Sequence, residues 1–79
     1  MIFLVKYSLE DIVEKINSTT TILVTYSTKT IEYTQESFLE AIKRDDFFAE
    51  LETILLSEDG KFVAQYMLYK DNLFTKYAN

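Results

Sequence analysis

The side chains able to do chemistry in this chain are thirteen carboxylates, six tyrosines and a scatter of hydroxyls, with no His and no Cys among 79 residues. Carboxylates alone can run acid–base chemistry when two face one bond, or hold a hard cation when several oxygens converge. The adjacent pairs Glu10-Asp11, Asp45-Asp46 and Glu58-Asp59 instead fall at a helix start, a break and a turn, where acids complement the helix dipole or solvate a bend. Without imidazole or thiolate there is no ordinary base near neutral pH, no strong nucleophile and no soft ligand for zinc or copper. A single glycine, Gly60, excludes the glycine-rich loops that bring backbone amides close to a phosphate. The sequence therefore reads as a protein with no catalytic residues, no cofactor and no metal, not an enzyme, that works by touching another macromolecule.

Charge narrows the partner. Thirteen acids against eight Lys and Arg give a net charge of −5. Affinity for nucleic acid comes largely from Lys and Arg displacing condensed counterions, so direct nucleic-acid binding is disfavoured, as is docking on anionic lipid. Glu36, Glu40, Asp45, Asp46, Glu50 and Glu52 are spaced to form an acidic ridge. Helical acids at i, i+4 stand roughly 5–6 Å apart, close to the spacing of successive phosphates, which gives the ridge a DNA-mimicking character. Lys43 and Arg44 interrupt it. Glu36, Glu40, Asp45, Asp46 and Glu50 are the candidate contacts to the basic surface of a protein partner.

Length and composition fit one domain, 1–79, near the lower limit for a core without disulfides or metal. An apolar content of 48% is ordinary for a globular chain. No stretch approaches the roughly 20 apolar residues that span a bilayer. The run Met1-Ile2-Phe3-Leu4-Val5 has neither a basic region before it nor a cleavage site after it, and does not read as a signal peptide. The absence of cysteine suits a reducing compartment, so the chain is expected to be soluble and cytoplasmic.

The elements that must position these groups follow from pattern. Residues 2–7 are branched and aromatic, as in a strand. Ser8 is a good N-cap with Asp11 three residues on, and Leu9, Ile12, Val13 and Ile16 form one helical stripe. Residues 20–26 and 29–34 read as a hairpin around Ser27-Thr28. Thr34 can cap a second helix that buries Phe38, Leu39 and Ile42.

Continuing that helix to Ser57 would carry Phe47, Leu51, Ile54 and Leu55 around to the opposite side, since each residue turns the axis by about 100°. The phase breaks at Lys43-Arg44-Asp45-Asp46. Beyond it, Asp59-Gly60 is a strong signal for a two-residue hairpin that pairs Glu58 with Lys61. The alternative is a helical segment over 46–57 with Gly60 near its C-cap. Residues 61–69 are a strand in either case, and 72–77 add a short edge strand or fold back.

Both faces of the strands at 2–7 and 61–70 are largely apolar or tyrosine. Phe62, Ala64 and Tyr66 share one face and Val63, Gln65, Met67 and Tyr69 the other. Base-stacking strands of RNA-recognition domains are aromatic in a similar way, but a second aromatic motif and a basic surround are missing. Two short helices cover one sheet face, and a second face bearing Tyr, Phe and Met has the composition of an interface centre, so Tyr66 and Tyr69 join the candidate partner-binding residues. The element order βαββαβ(β) implies an α+β domain, an antiparallel-rich sheet of 4–6 strands with two helices packed on one face, in a ferredoxin-like arrangement. Small acidic antagonists that phages direct against host defence, of anti-CRISPR or anti-restriction type, share this size and charge. The functional expectation is an acidic inhibitor or modulator of a nucleic-acid-handling host protein. The alternative is a homodimeric structural or regulatory subunit that uses the aromatic sheet face.

Overall fold

A computed structural model describes residues 5–77. The chain runs β1 (Lys6–Tyr7), α1 (Leu9–Val13), β2 (Thr20–Tyr26), β3 (Thr30–Tyr33), α2 (Gln35–Ala41), β4 (Leu51–Glu58), β5 (Lys61–Lys70) and β6 (Leu73–Tyr77). The six strands form one sheet in the order β1-β6-β5-β4-β2-β3, every neighbouring pair antiparallel. This is a small α+β fold. Ile2, Phe3 and Leu4 of the expected first strand lie outside the described residues.

Both helices begin where the chain supplies a cap. Ser8 Oγ accepts from the Asp11 amide at 3.3 Å while the Asp11 carboxylate accepts from the Ser8 amide at 2.8 Å, which satisfies two backbone donors that the first turn leaves unpaired. Thr34 and Ser37 make the same reciprocal pair at α2. α1 is shorter than its apolar stripe. Beyond Val13 the chain tightens into three-residue turns, Lys15 N to Ile12 O at 3.0 Å and Ile16 N to Val13 O at 3.3 Å, and Ile16 is buried from a turn rather than a helix. Asn17 then fastens the connection: its Nδ2 donates to Glu58 Oε1 at 3.0 Å and its Oδ1 accepts from the Thr19 amide at 2.8 Å.

The segment 46–57 does not continue as a helix. α2 ends at Ala41, residues 42–50 form successive turns, and β4 starts at Leu51. At the β4–β5 hairpin Asp59 and Gly60 have φ of 52° and 75°, the left-handed pair that a two-residue turn requires. Glu58 pairs with Lys61 as the turn dictates. A second turn of the same kind joins β5 to β6, with Asp71 and Asn72 at φ 56° and 57°. β6 is a strand, but it lies between β5 and β1 rather than at the sheet edge.

The strand order departs from the expected ferredoxin-like arrangement. β2 lies between β3 and β4, which splits the unit β3-α2-β4 around one strand. β1 and β2, in contrast, are separated by three strands. The consecutive hairpins β4–β5–β6 occupy the side of the sheet that β1 would otherwise join, and β1 is left at the edge.

One set of strand residues builds the core: Ile22, Val24 and Tyr26 of β2, Leu51, Ile54 and Leu56 of β4, Ala64 and Tyr66 of β5 and Phe74 of β6. Ile12 of α1, Phe38 and Ala41 of α2, and Phe47 from the turns enter the same cluster. A bulge alters the expected faces of β5. Leu56 pairs with Ala64 but Ser57 pairs with Phe62, so Val63 is the extra residue and Phe62 moves to the side of Gln65 and Met67.

Candidate partner-binding surfaces

Charge is segregated along the chain. Residues 8–19 and 34–50, the helices with their flanking turns, hold eight of the thirteen carboxylates and three of the eight bases. The strands and remaining turns hold five of each, so the helical segments carry a charge equal to the whole net charge of −5.

Within those segments Glu36 and Glu40 are exposed on α2, and Asp45, Asp46 and Glu50 are exposed in the turns that follow. Because α2 ends at Ala41, the ridge bends away from a straight helical line. Lys43 Nζ lies 3.6 Å from Glu40 and Arg44 Nε 3.2 Å from Asp46. Exposed pairs of this kind contribute less than about 1 kcal/mol to stability, yet each cancels one charge of the ridge. The hydrogen bond to Asp46 also holds the Arg44 guanidinium above its ordinary pKa. Glu50 is fixed by the β2–β3 turn: the Ser27 hydroxyl donates to its Oε1 at 2.8 Å and the Ser27 amide to its backbone oxygen at 3.0 Å. Glu36 and Asp45 make no ion pair among the described residues.

Two concave features border this surface. A groove of about 490 Å³ has Leu9, Val13 and Ile42 as its apolar lining, with Glu10, Glu14 and Lys43 also bordering it. Its α1 residues were not among the sequence candidates, although Leu9/Val13 and Glu10/Glu14, two i, i+4 pairs on adjacent lines of one helix, carry the signal. A smaller notch of about 170 Å³ is lined by Tyr26, Lys29, Arg44, Asp46 and Glu50 among others. Burial, assisted by Tyr33, raises the pKa of the Tyr26 hydroxyl, so at neutral pH it stays protonated and offers no base. Among the described residues no three acids converge in a way that could hold a metal ion.

The sheet face away from the core is the second candidate surface. In register across it run Glu32, Leu23, Leu55, Gln65 and Tyr77. One step along the strands run Thr30, Thr25, Thr53, Met67, Thr75 and Lys6. Leu23 and Leu55 are half-buried but stand outside the core and the residues packed on it. Met67, Tyr69 and Tyr77 expose 46%, 49% and 66% of their surface. Tyr69 is flanked by the Nζ atoms of Lys6 and Lys70, at 5.2 and 5.4 Å from the ring centroid.

Tyr66 lies elsewhere. It is 1% exposed, packs edge-on against Tyr7 at 5.7 Å, and has its pKa raised by burial and then by Tyr7 and Asp11. Of the two candidate tyrosines only Tyr69 is exposed. No protein-family model matches the chain, and no curated protein or solved structure matches it.

Proposed function

We propose that the protein is a non-enzymatic binding module that sets its acidic helical segments against the basic surface of a nucleic-acid-handling protein and acts as a small inhibitor or modulator. Phage antagonists of host CRISPR or restriction systems are the kind of protein this describes. The observation that carries the reading is the charge segregation: the segments 8–19 and 34–50 hold the net charge of −5. A surface of net negative charge steers a basic partner toward itself and raises the association rate, while repelling nucleic acid. Glu36 and Asp45, outside the ion pairs, and Glu50 supply most of the field on the α2 side, while Glu40 and Asp46 are offset by Lys43 and Arg44. The groove at Leu9, Val13 and Ile42, bordered by Glu10 and Glu14, suits an apolar side chain flanked by Lys or Arg, the pairing from which interface hot spots are built. The reading implies a cytoplasmic site of action, where such targets work, and neither a cofactor nor a membrane takes part.

The test is capture from host lysate on immobilised protein at low salt, followed by an activity assay of what is retained. A basic nuclease or nucleic-acid-binding protein whose activity falls on addition of free protein supports the reading. Retention only of proteins without nucleic-acid activity, or a nuclease that stays fully active when bound, contradicts it.

A further inference from the structure

We propose that the outward sheet face docks a second copy of this chain, the two sheets stacking face to face about a two-fold axis that runs parallel to the strands. The distribution of charge selects both the occupant and the axis. The middle of the face carries Leu23, Leu55, Met67 and Phe62 among threonines, with Lys70 at the far end of β5 beside Tyr69. Its two edges carry opposite signs, Lys6 on β1 and Glu32 on β3.

A two-fold axis along the strands places the β1 edge of one copy over the β3 edge of the other. Lys6 then faces the partner's Glu32, and the contact occurs twice. An axis across the strands would set Lys6 over Lys6 and Glu32 over Glu32, which repel. Lys6 and Glu32 stand one ladder step apart, about 7 Å along the strands between sheets stacked about 10 Å apart, a gap that an extended lysine and a glutamate span together. With six strands in the order β1-β6-β5-β4-β2-β3, the axis passes between β5 and β4. Met67 and Gln65 thus stack on the partner's β4, and Leu23 meets the partner's β6.

The opposite choice of surface fails on charge, because stacking through the helical segments would oppose a charge of −5 with itself. A face of six strands spans roughly 25 Å by 20 Å, so a pair buries about 1,000 Å², where specific interfaces begin. A reversible, concentration-dependent dimer follows. It is independent of the proposed heterologous target and leaves both acidic surfaces facing outward.

Sedimentation velocity over a concentration series tests this with wild type, Lys6→Glu, Glu32→Lys, the double exchange and Met67→Lys. Each single charge exchange is expected to weaken dimerisation about tenfold, since it acts at two symmetry-related pairs. The double exchange is expected to return it to within about threefold of wild type. Met67→Lys, at an exposed position that the core does not need, is expected to abolish the dimer with the circular dichroism spectrum unchanged. The proposal is overturned by a wild-type monomer at about 1 mM, the weak limit of useful affinity, or by a double exchange no tighter than the singles. A dimer that survives Met67→Lys and is lost on reversing Glu36, Glu40, Asp45 and Asp46 to Lys also overturns it, by moving the contact to the acidic segments.

Discussion

Replacing Phe47 by alanine is a demanding perturbation of this fold, because its ring is the fully buried anchor of the irregular segment 42–50, with Ile42 and Phe48 packed beside it on the core. Phe47 is 2% exposed. Its centroid lies 6.5 Å from Tyr26, 5.9 Å from Phe38 and 5.4 Å from Phe48, each pair close to perpendicular. Truncating a buried Phe to Ala costs about 3–5 kcal/mol, and loss of edge-to-face pairs worth roughly 0.5–1.5 kcal/mol each beyond burial places this site at the upper end. The whole domain has about 4–12 kcal/mol to lose at its length. A loss of about 4–5 kcal/mol therefore brings the variant near its unfolding threshold and lowers its Tm by more than about 16 °C. Urea melts followed by far-UV circular dichroism measure this, since there is no Trp for fluorescence; Met67→Ala, on the exposed sheet face, is the control at under about 1 kcal/mol. A loss below about 1.5 kcal/mol for Phe47→Ala would refute the view that this ring anchors the turns carrying Asp45, Asp46 and Glu50.

Ile12→Ala and Ile16→Ala should each cost about 2–5 kcal/mol in the same melts, as both side chains are buried in the core; values under about 0.5 kcal/mol for both would mean that α1 packs on another surface. Gly60→Ala should cost about 1–2 kcal/mol through its φ of +75° alone, since a Cβ there would meet nothing within 4 Å; a neutral or stabilising result would show that the β4–β5 turn relaxes. Tyr26 and Tyr66 have pKa values raised chiefly by burial. The folded state binds their protons more tightly, so their contribution is complete below about pH 10, the unfolded tyrosine value, and is lost as pH rises through the folded values. Urea midpoints should fall above about pH 10 and fall less in Tyr66→Phe; identical alkaline profiles for the two proteins would contradict this.

Local signals in the sequence were legible and long-range ones were not. Ser8 with Asp11, Thr34, and Asp59-Gly60 act over three or four residues, and the helix starts and the β4–β5 hairpin follow from them. The stripe Leu9, Ile12, Val13 and Ile16 marked the buried Ile12 and Ile16 but overstated the helix, because Ile16 reaches the core from a turn, and Leu9 and Val13 are only partly covered and line the groove. The phase break at Lys43–Asp46 located the end of α2, while the turns that bury Phe47 had no period to reveal them. Asp71-Asn72 was a usable signal for the β5–β6 turn, since both types tolerate left-handed backbone. The place of β1 at the sheet edge, the bulge at Val63 that turns Phe62 outward, and the burial of Tyr66 rather than Tyr69 depend on which distant strands pair. At the candidate surfaces the acids were legible one by one. Their ion pairs with Lys43 and Arg44, and the groove where α1 meets Ile42, required the fold.

The central claim is that the acidic helical segments engage a basic protein surface, and the salt dependence of association tests it most directly. The measurement is the association rate between the captured target and either wild type or the variant with Glu36, Glu40, Asp45 and Asp46 changed to Lys, from about 50 to 500 mM salt. Across that range the Debye length falls from above 10 Å toward 3 Å. Wild-type association is expected to slow steeply with salt, and the reversed variant, folded and as stable as wild type, to associate at least about tenfold more slowly at low salt. Equal rates for the two proteins, both indifferent to salt, would contradict the claim and take the acidic segments out of the interface.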